Sequence, residues 1–507
     1  MAKKKAGDKR GTDSTAECDL DDGFVSPVAT VRDITFENIR SLITKSRYIQ
    51  ALIVLTVAGI FLRFYNLGYN SLWLDEATTY NISLQSFTGI WQTITTGSEF
   101  NPPLFYWVEH IMLIFGNSEI ILRFVPAVLG VLSIPVFYLV GKEFLDRNTG
   151  IIAAAACTVS PFLIYYSQEA RAYSMMLFFV ALATLFFLKA MKSGNRVHWI
   201  LFAVFSAIAF WSHFYAIVMI AALVLYALVI WAPKIHMELN NLKLLILGVI
   251  VFAVLTLPLI LVTISLFATR TSSAPTFGLQ GLTLIAETFT QISGFSDLAA
   301  ILLVILFCVG IIQMWVVNRD KSVFLILTTV FIFVISYILS FKMPMQSRHL
   351  ICISIVFFLG IACSYKVLYA LIRRPSMVYV VIAVLCIISV PMLAGYYSGY
   401  SKEDWRGFSA ALQEKTSPGD KIVTVPGYMD VPLDYYYSSG KDSTTQYQAT
   451  TSHDLENVSS QKGNNTMYFV VTSDIYAADP EGDAIAWLNN NTRLVGQDTG
   501  IYLFTSR

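Results

Sequence analysis

The sequence predicts a polytopic α-helical membrane protein that ends in a small extracytoplasmic α/β domain. Three observations predict it. Only 14% of the 507 residues are charged while 55% are hydrophobic, apolar stretches of spanning length recur from about residue 48 to 395, and the chain turns polar from residue 396 onward. A soluble globular protein carries roughly 25% charged residues, so this deficit marks a chain whose solvent is lipid. A formal net charge of +1 argues against nucleic acid as a partner.

Residues 1–40 are charged and mixed, with Lys3-Lys4-Lys5 near the start, and read as a disordered cytoplasmic tail. Apolar stretches able to cross about 30 Å of hydrocarbon follow near 48–66, 120–141, 149–167, 172–191, 197–212, 214–232, 243–268, 298–317, 322–341, 349–370 and 376–395, eleven in all. The first lacks a small-residue cleavage pattern after it and reads as a retained anchor. Residues 102–115 are apolar in part but short, and they carry Glu109 and His110. Laying this segment flat at the interface puts five basic loops on the side of the basic N-terminus: Lys142/Arg147, Lys189/Lys192/Arg196, Lys234/Lys243, Arg319/Lys321 and Lys366/Arg373/Arg374. Making it span flips all five outward, so the positive-inside rule selects an interfacial amphipathic helix.

That parity defines a membrane region 41–395, with a first extracytoplasmic loop 67–118, and places 396–507 outside. In the polar region, 403–414 and 484–489 read as helices and 421–425, 467–472 and 501–505 as strands. The region holds no cysteine, so no disulfide framework supports it. Asn81, Asn457, Asn464 and Asn490 begin N-x-S/T triplets on the same side, a pattern frequent by chance.

The polar residues able to do chemistry converge on that outer face. Asp75 and Glu76, within Trp73-Leu74-Asp75-Glu76-Ala77, are carboxylates held among apolar neighbours, which suits a base; the bland reading is an acidic surface loop. Arg171, after Gln168-Glu169, and Arg348-His349 lie at outer span ends, where each arginine reads either as a snorkelling side chain or as a bidentate phosphate clamp. Arg63 and Arg123 lie inside spans, with Glu119 as the i−4 partner of Arg123. His213 ends a span beside Trp211 and Tyr215 and reads first as an interior hydrogen-bonded residue. No H-E-x-x-H or clustered Cys/His spacing exists; a single divalent ion shared among His213, Glu76 or Glu99 and phosphate oxygens stays chemically open. No nucleotide-binding glycine motif is present. One base with several cations suits displacement at a sugar already attached to phosphate, because the phosphate leaves as a stable anion and needs no general acid.

Trp73-Leu74-Asp75-Glu76-Ala77, Asn101-Pro102-Pro103-Leu104, Phe115-Gly116-Asn117-Ser118-Glu119 with Arg123-Phe124-Val125-Pro126-Ala127, and Ser160-Pro161 with Tyr166-Ser167-Gln168-Glu169-Ala170-Arg171-Ala172-Tyr173 resemble GT-C glycosyltransferases. The resemblance is to the prokaryotic protein O-mannosyltransferase-like and aminoarabinose-transferase-like membrane enzymes. It covers about residues 48–400 and reaches Glu403-Asp404-Trp405-Arg406. It implies a GT-C fold with interfacial helices and an inverting transfer of sugar from a polyprenyl- or dolichyl-phosphate donor to an acceptor on the extracytoplasmic face. The acceptor is a protein, a lipid or a glycan. The residue matching Asp75 is then the essential carboxylate, an acidic residue often stands at Gln168-Glu169, and Asn101 occupies a place where some relatives have a basic residue. The substrate-binding candidates are accordingly Arg63, Asn101, Gln168, Glu169, Arg171, His213, Arg348 and His349, around the catalytic candidates Asp75 and Glu76. A lipid-linked sugar flippase or transporter is the rival class, disfavoured because the charges gather at one face and no internal repeat is visible. A membrane-anchored binding protein working through 396–507 is the third.

Overall fold

The computed structural model describes residues 35–234, 236–271, 275, 277–399, 402–437 and 444–506. The expected tail lies outside the described residues up to position 34. From there it departs from expectation, because Phe36–Lys45 is a helix, with Thr35 capping its start by accepting from Asn38 N at 3.2 Å.

Every predicted apolar stretch is helical. Nine described helices have the length and composition to cross a bilayer, a tenth span is the bent pair Arg147–Val159 and Pro161–Ser167, and Arg196–Ser212 is apolar but short at 17 residues. The bend has a local cause. Ser160 caps the second half, accepting from Leu163 N at 3.3 Å, and Pro161 stands in its first turn, where the missing N–H costs nothing. The two halves meet at 59°. Close helix contact is bought with small residues: a Cβ on Gly141, in Glu119–Phe144, would lie 2.7 Å from Gly150 Cα in the next helix.

The doubtful segment 102–115 forms the helix Leu104–Met112 followed by a 3-10 turn, Leu113–Phe115. Nine α-helical residues rise only about 14 Å, half of what a bilayer core requires. The helix buries Phe105, Tyr106 and Glu109, while Ile114 and Phe115 beyond it are 79% and 70% exposed. Trp107, on this helix, and Trp91, on the helix Phe87–Thr95, both stack on Trp211, with ring centroids 5.8 and 6.0 Å away.

The C-terminal part folds as a five-stranded sheet of β1 (Lys421–Val425), β2 (Thr445–Gln448), β3 (Met467–Thr472), β4 (Thr492–Asp498) and β5 (Ile501–Ser506) in the order β2-β1-β3-β5-β4. β2, β1 and β3 are parallel; β5 and β4 add antiparallel. Helices cover both faces. Ile422 and Val470 pack with Trp405, Phe408 and Leu433, and Val423 and Phe469 pack with Leu455 and Leu488. That double cover explains why β1 reads as a continuous apolar run rather than an alternation.

This domain clamps the segment between the first two spans. Tyr436 receives the Leu72 N–H at 2.7 Å and donates to Glu119 Oε1 at 2.7 Å; Arg406 Nη2 reaches the same Glu119 oxygen at 2.6 Å and Gly68 O at 3.0 Å. Ser71 Oγ donates to Asp404 Oδ1 at 2.8 Å. Glu119 is therefore not the partner of Arg123 that its i−4 spacing suggested. It stands at the first turn of its helix, facing the polar domain, whereas Arg123 is buried one turn deeper.

Candidate active site

Trp73 takes an extended conformation before the helix Leu74–Ser83, so Asp75 and Glu76 fall in its first turn, where the helix dipole favours negative charge. Adjacent positions on a helix point about 100° apart, and the two carboxylates part company accordingly. Glu76 is fully buried. Arg123 donates to both its oxygens at 2.7 Å, Ala170 N donates at 2.8 Å, and Lys402 Nζ approaches at 3.0 Å. Arg123 spends its remaining donors on the carbonyls of Leu67, Asn70 and Ser71. Glu76 thus departs from the expectation of a second catalytic carboxylate: it is the counter-ion that ties the outer loop to the bundle. Burial pushes its pKa up, but the charges of Arg123 and Lys402 prevail and hold it well below the usual carboxylate value.

Asp75 faces an open chamber and keeps 24% of its side chain exposed. Arg348 Nη2 lies 3.2 Å from Asp75 Oδ2, and Arg171 Nε 3.9 Å from the same oxygen. Arg171 Nη1 also donates to Asp75 O at 3.2 Å and Thr79 Oγ1 at 3.3 Å. The half-helix Pro161–Ser167 ends just below the chamber, and the turn after it delivers Glu169 and Arg171. Arg348 comes from the 3-10 turn Ser347–Leu350, fixed by reciprocal capping between Gln346 and His349. Its guanidinium lies over the rings of Trp73 and Tyr173, 5.2 and 5.8 Å from their centroids. Burial opposes the charge of Arg171 and of Arg348, but the acidic groups around each, Asp75 among them, together outweigh it and hold both above the ordinary arginine value, so both stay charged.

His213 and His349 form the inner wall. His349 stacks on Tyr215 at 4.7 Å, and His213 lies 5.5 Å from the ring of Tyr173. Burial, then the cations Arg171 and Arg348, pull the pKa of His213 down to about 3; burial and His213 carry His349 well below its ordinary value. Both rings are neutral at pH 7, and the Nδ1 atoms accept from the backbone N–H groups of Tyr215 and Gln346. Around the chamber three buried donor atoms, Trp73 Nε1, Arg348 Nε and His213 Nε2, have no hydrogen-bond partner among the described residues. Buried polar atoms are nearly always paired, so these three are donors with capacity to spare.

Lys402 closes the chamber from the C-terminal side. It lies 3.2 Å from Glu169 as well as 3.0 Å from Glu76, with only 8% of its side chain exposed, and over the rings of Trp73 and Tyr165. Sequence reasoning missed it, although a signal existed: a lone lysine just past the outer end of the last span runs against the positive-inside rule. Burial raises the pKa of Glu169 against the opposing charge of Lys402.

The remaining candidates take other places. Arg63 is fully buried and donates to the carbonyls of Cys157 and Thr158 at 2.8 and 3.3 Å, and Gln168 staples the carbonyls of Arg63 and Tyr65 while accepting from Tyr396 at 2.6 Å. These two brace the helices instead of lining the chamber. Asn101 donates to Glu99 Oε1 at 2.8 Å and hydrogen-bonds Tyr106, whose hydroxyl feels both Arg171 and Asp75. Of the residues considered for a cation shared with phosphate oxygens, His213 with Glu76 or Glu99, Glu76 is engaged by Arg123 and Lys402 and Glu99 by the Phe100–Asn101 backbone; among the described residues no group of three or more His, Cys, Asp or Glu could hold a metal ion.

Residues 101–261 match the model of the dolichyl-phosphate-mannose-protein mannosyltransferase family. An uncharacterized protein of Aquifex aeolicus (strain VF5) is 28% identical over 138 residues, 26% of this chain and 28% of the relative, so the likeness spans under a third of that protein. The crystal structure of ArnT from Cupriavidus metallidurans in the apo state superposes with a TM-score of 0.58 at 14% identity, covering 89% of this chain and 97% of ArnT. ArnT bound to undecaprenyl phosphate gives 0.54 at 14% identity over the same shares. The archaeal oligosaccharyltransferase AglB from Archaeoglobus fulgidus, in complex with an inhibitory peptide and a dolichol-phosphate, gives 0.52 at 13% identity, covering 92% of this chain and 75% of AglB. The chain is a multi-pass membrane protein with the GT-C fold that ArnT and AglB share.

Proposed function

We propose that this protein transfers a sugar from a polyprenyl- or dolichyl-phosphate carrier to an acceptor hydroxyl on the extracytoplasmic face, with inversion. The observation that carries the reading is one carboxylate, Asp75, partly open to solvent and touching two buried guanidinium groups. Arg171 and Arg348 bind the donor phosphate, assisted by the unpaired donors of Trp73 and His213. Asp75 takes the proton of the acceptor hydroxyl, whose oxygen attacks the anomeric carbon from the face opposite the phosphate. The bond between that carbon and the phosphate oxygen breaks with its electron pair, and the lipid phosphate leaves as an anion held by the two arginines. Lys402 and Arg123 hold Glu76, and with it the loop that positions Asp75.

The orientation rests on the loop charges, which favour a cytoplasmic N-terminus, and on the tryptophan cluster Trp91-Trp107-Trp211, an arrangement suited to a membrane–water boundary. The matched family and the lipid phosphates bound by ArnT and AglB support the donor class. The test is transfer by the purified full-length protein in detergent, supplied with undecaprenyl- or dolichyl-phosphate sugars and candidate acceptors. Detergent abolishes the second compartment a flippase needs, so formation of product with inverted anomeric configuration supports the enzyme. Absence of transfer from every such donor, or retention of configuration, rejects it.

A further inference from the structure

Above the chamber, at the C-terminal ends of the parallel strands β1 and β2, the α/β domain has a cavity of about 550 Å³. The crevice beyond the carboxyl ends of parallel strands is where open α/β sheets take ligands, and the volume falls within the range of small-molecule sites. The cavity exists because Gly427 lets the turn after β1 lie against β2; a Cβ there would come 2.9 Å from Gln448 Cβ.

Its chemistry is one-sided. The lining supplies the carboxylates of Asp430 and Asp454, the carboxamide of Gln448, the hydroxyl of Thr450 and the ring of Tyr428, 43% exposed, and no cation. Asp454 accepts the backbone N–H groups of Thr450 and Thr451 at 3.1 and 2.9 Å, which holds its carboxyl below the usual range and keeps it an acceptor. Gln448 Nε2 donates to Asp430 Oδ2, so its carbonyl is turned to other partners. Two carboxylates repel a phosphate, and the polar lining penalises a purely apolar ligand. A ligand rich in hydroxyl donors with one apolar face meets every feature, the hydroxyls on the carboxylates and the face on Tyr428.

The cavity is mechanically and electrostatically joined to Asp75. Val431 lines it and also packs on the cluster Leu72, Ala77, Leu122 and Ala170, which includes the residue two beyond Asp75. The helix Asp430–Tyr436 lies against Leu74–Ser83. The carboxyl of Asp474 feels the charge of Asp75 on one side and acts on the hydroxyl of Tyr428 on the other.

We infer that this cavity is the acceptor subsite and that the acceptor it takes is a carbohydrate, bound so that a hydroxyl further along it reaches Asp75. The assignment rests on the transferase reading above. The test is therefore made without donor or turnover: full-length protein in detergent is passed over an array of immobilised, defined neutral oligosaccharides beside an array of Ser/Thr peptides. Expected is retention on at least one oligosaccharide class, weakened tenfold or more by both Tyr428→Ala and Gln448→Ala and kept by Tyr428→Phe. Thermal unfolding of each variant is recorded, and Gln448→Ala decides if Tyr428→Ala does not fold. No oligosaccharide retained, retention on peptides instead, or binding indifferent to both substitutions overturns the assignment. Failure of the transferase reading shows elsewhere, as absence of transfer to any acceptor.

Discussion

Arg348 Nη2 lies 3.2 Å from Asp75 Oδ2, joining a turn before one of the last spans to the first outer loop. The guanidinium also lies 5.2 and 5.8 Å from the ring centroids of Trp73 and Tyr173, so its place is fixed from three sides. Asp75 is in turn the only carboxylate in this arrangement with a quarter of its side chain open. On the proposed mechanism, a phosphate binding there competes with Asp75 for the same fork, which frees the carboxylate to accept a proton.

Arg348→Lys keeps the charge but loses the planar fork and much of the ring contact. The apparent KM for the lipid-phosphate donor should rise about tenfold or more, corresponding to about 1.5–3 kcal/mol for a charged hydrogen bond. Steady-state kinetics on the purified variant measure it, and a lysine variant with unchanged donor KM speaks against a phosphate clamp.

Glu76→Gln leaves Arg123 and Lys402 buried with their shared counter-ion removed. Breaking a buried pair in this way costs about 3–5 kcal/mol, so the variant should unfold at markedly lower temperature. Adding Lys402→Met should not restore the loss, because Lys402 keeps Glu169 at 3.2 Å and its removal would leave that buried carboxylate without its cation. A single variant as stable as the parent would return Glu76 to the list of catalytic candidates.

Acid should destabilise the site through Glu76 and through the two histidines His213 and His349, all acting in the same direction. Glu76 has its pKa depressed in the fold, so its stabilisation is full above its unfolded value near 4.3 and fades as pH falls towards the folded value. His213, at about 3 in the fold, stays neutral while its unfolded counterpart gains a proton below about 6.5, so stability falls with pH through that window as well. Thermal melts between pH 7 and pH 4 should drop steadily, and His213→Gln should flatten the limb between 6.5 and 5.

Tyr436→Phe removes the acceptor of the Leu72 N–H and the donor to Glu119 without changing shape. An orphaned buried group costs about 1–3 kcal/mol. The C-terminal domain should then release the outer loop, read as faster hydrogen exchange across residues 66–76.

The sequence carried the membrane architecture because spanning length and loop charge are local quantities. It pointed to Asp75, Arg171 and Arg348, which the fold brings together, because charges in the short polar segments between apolar stretches are few. What stayed hidden depends on pairing across distance. Glu76 and Lys402 are 326 residues apart, and only the fold shows that they meet, which turns Glu76 from an apparent twin of Asp75 into a brace. Glu119 illustrates the same limit, since helical spacing offered Arg123 and the polar domain supplied Arg406. In that domain β2 and β4 were not read as strands. β2 is the short polar run Thr-Gln-Tyr-Gln on an edge, and β4 is an edge strand whose irregular register at Leu494/Gly496 breaks the alternation.

The most direct measurement is single-turnover sugar transfer by Asp75→Asn alongside binding of the lipid-phosphate donor. Loss of a general base costs about 10²–10⁴-fold, so transfer should fall by at least a hundredfold while donor affinity holds or tightens, the arginines having lost their internal competitor. Transfer at the parental rate with donor bound would contradict the account, because no other carboxylate touches both Arg171 and Arg348 among the described residues.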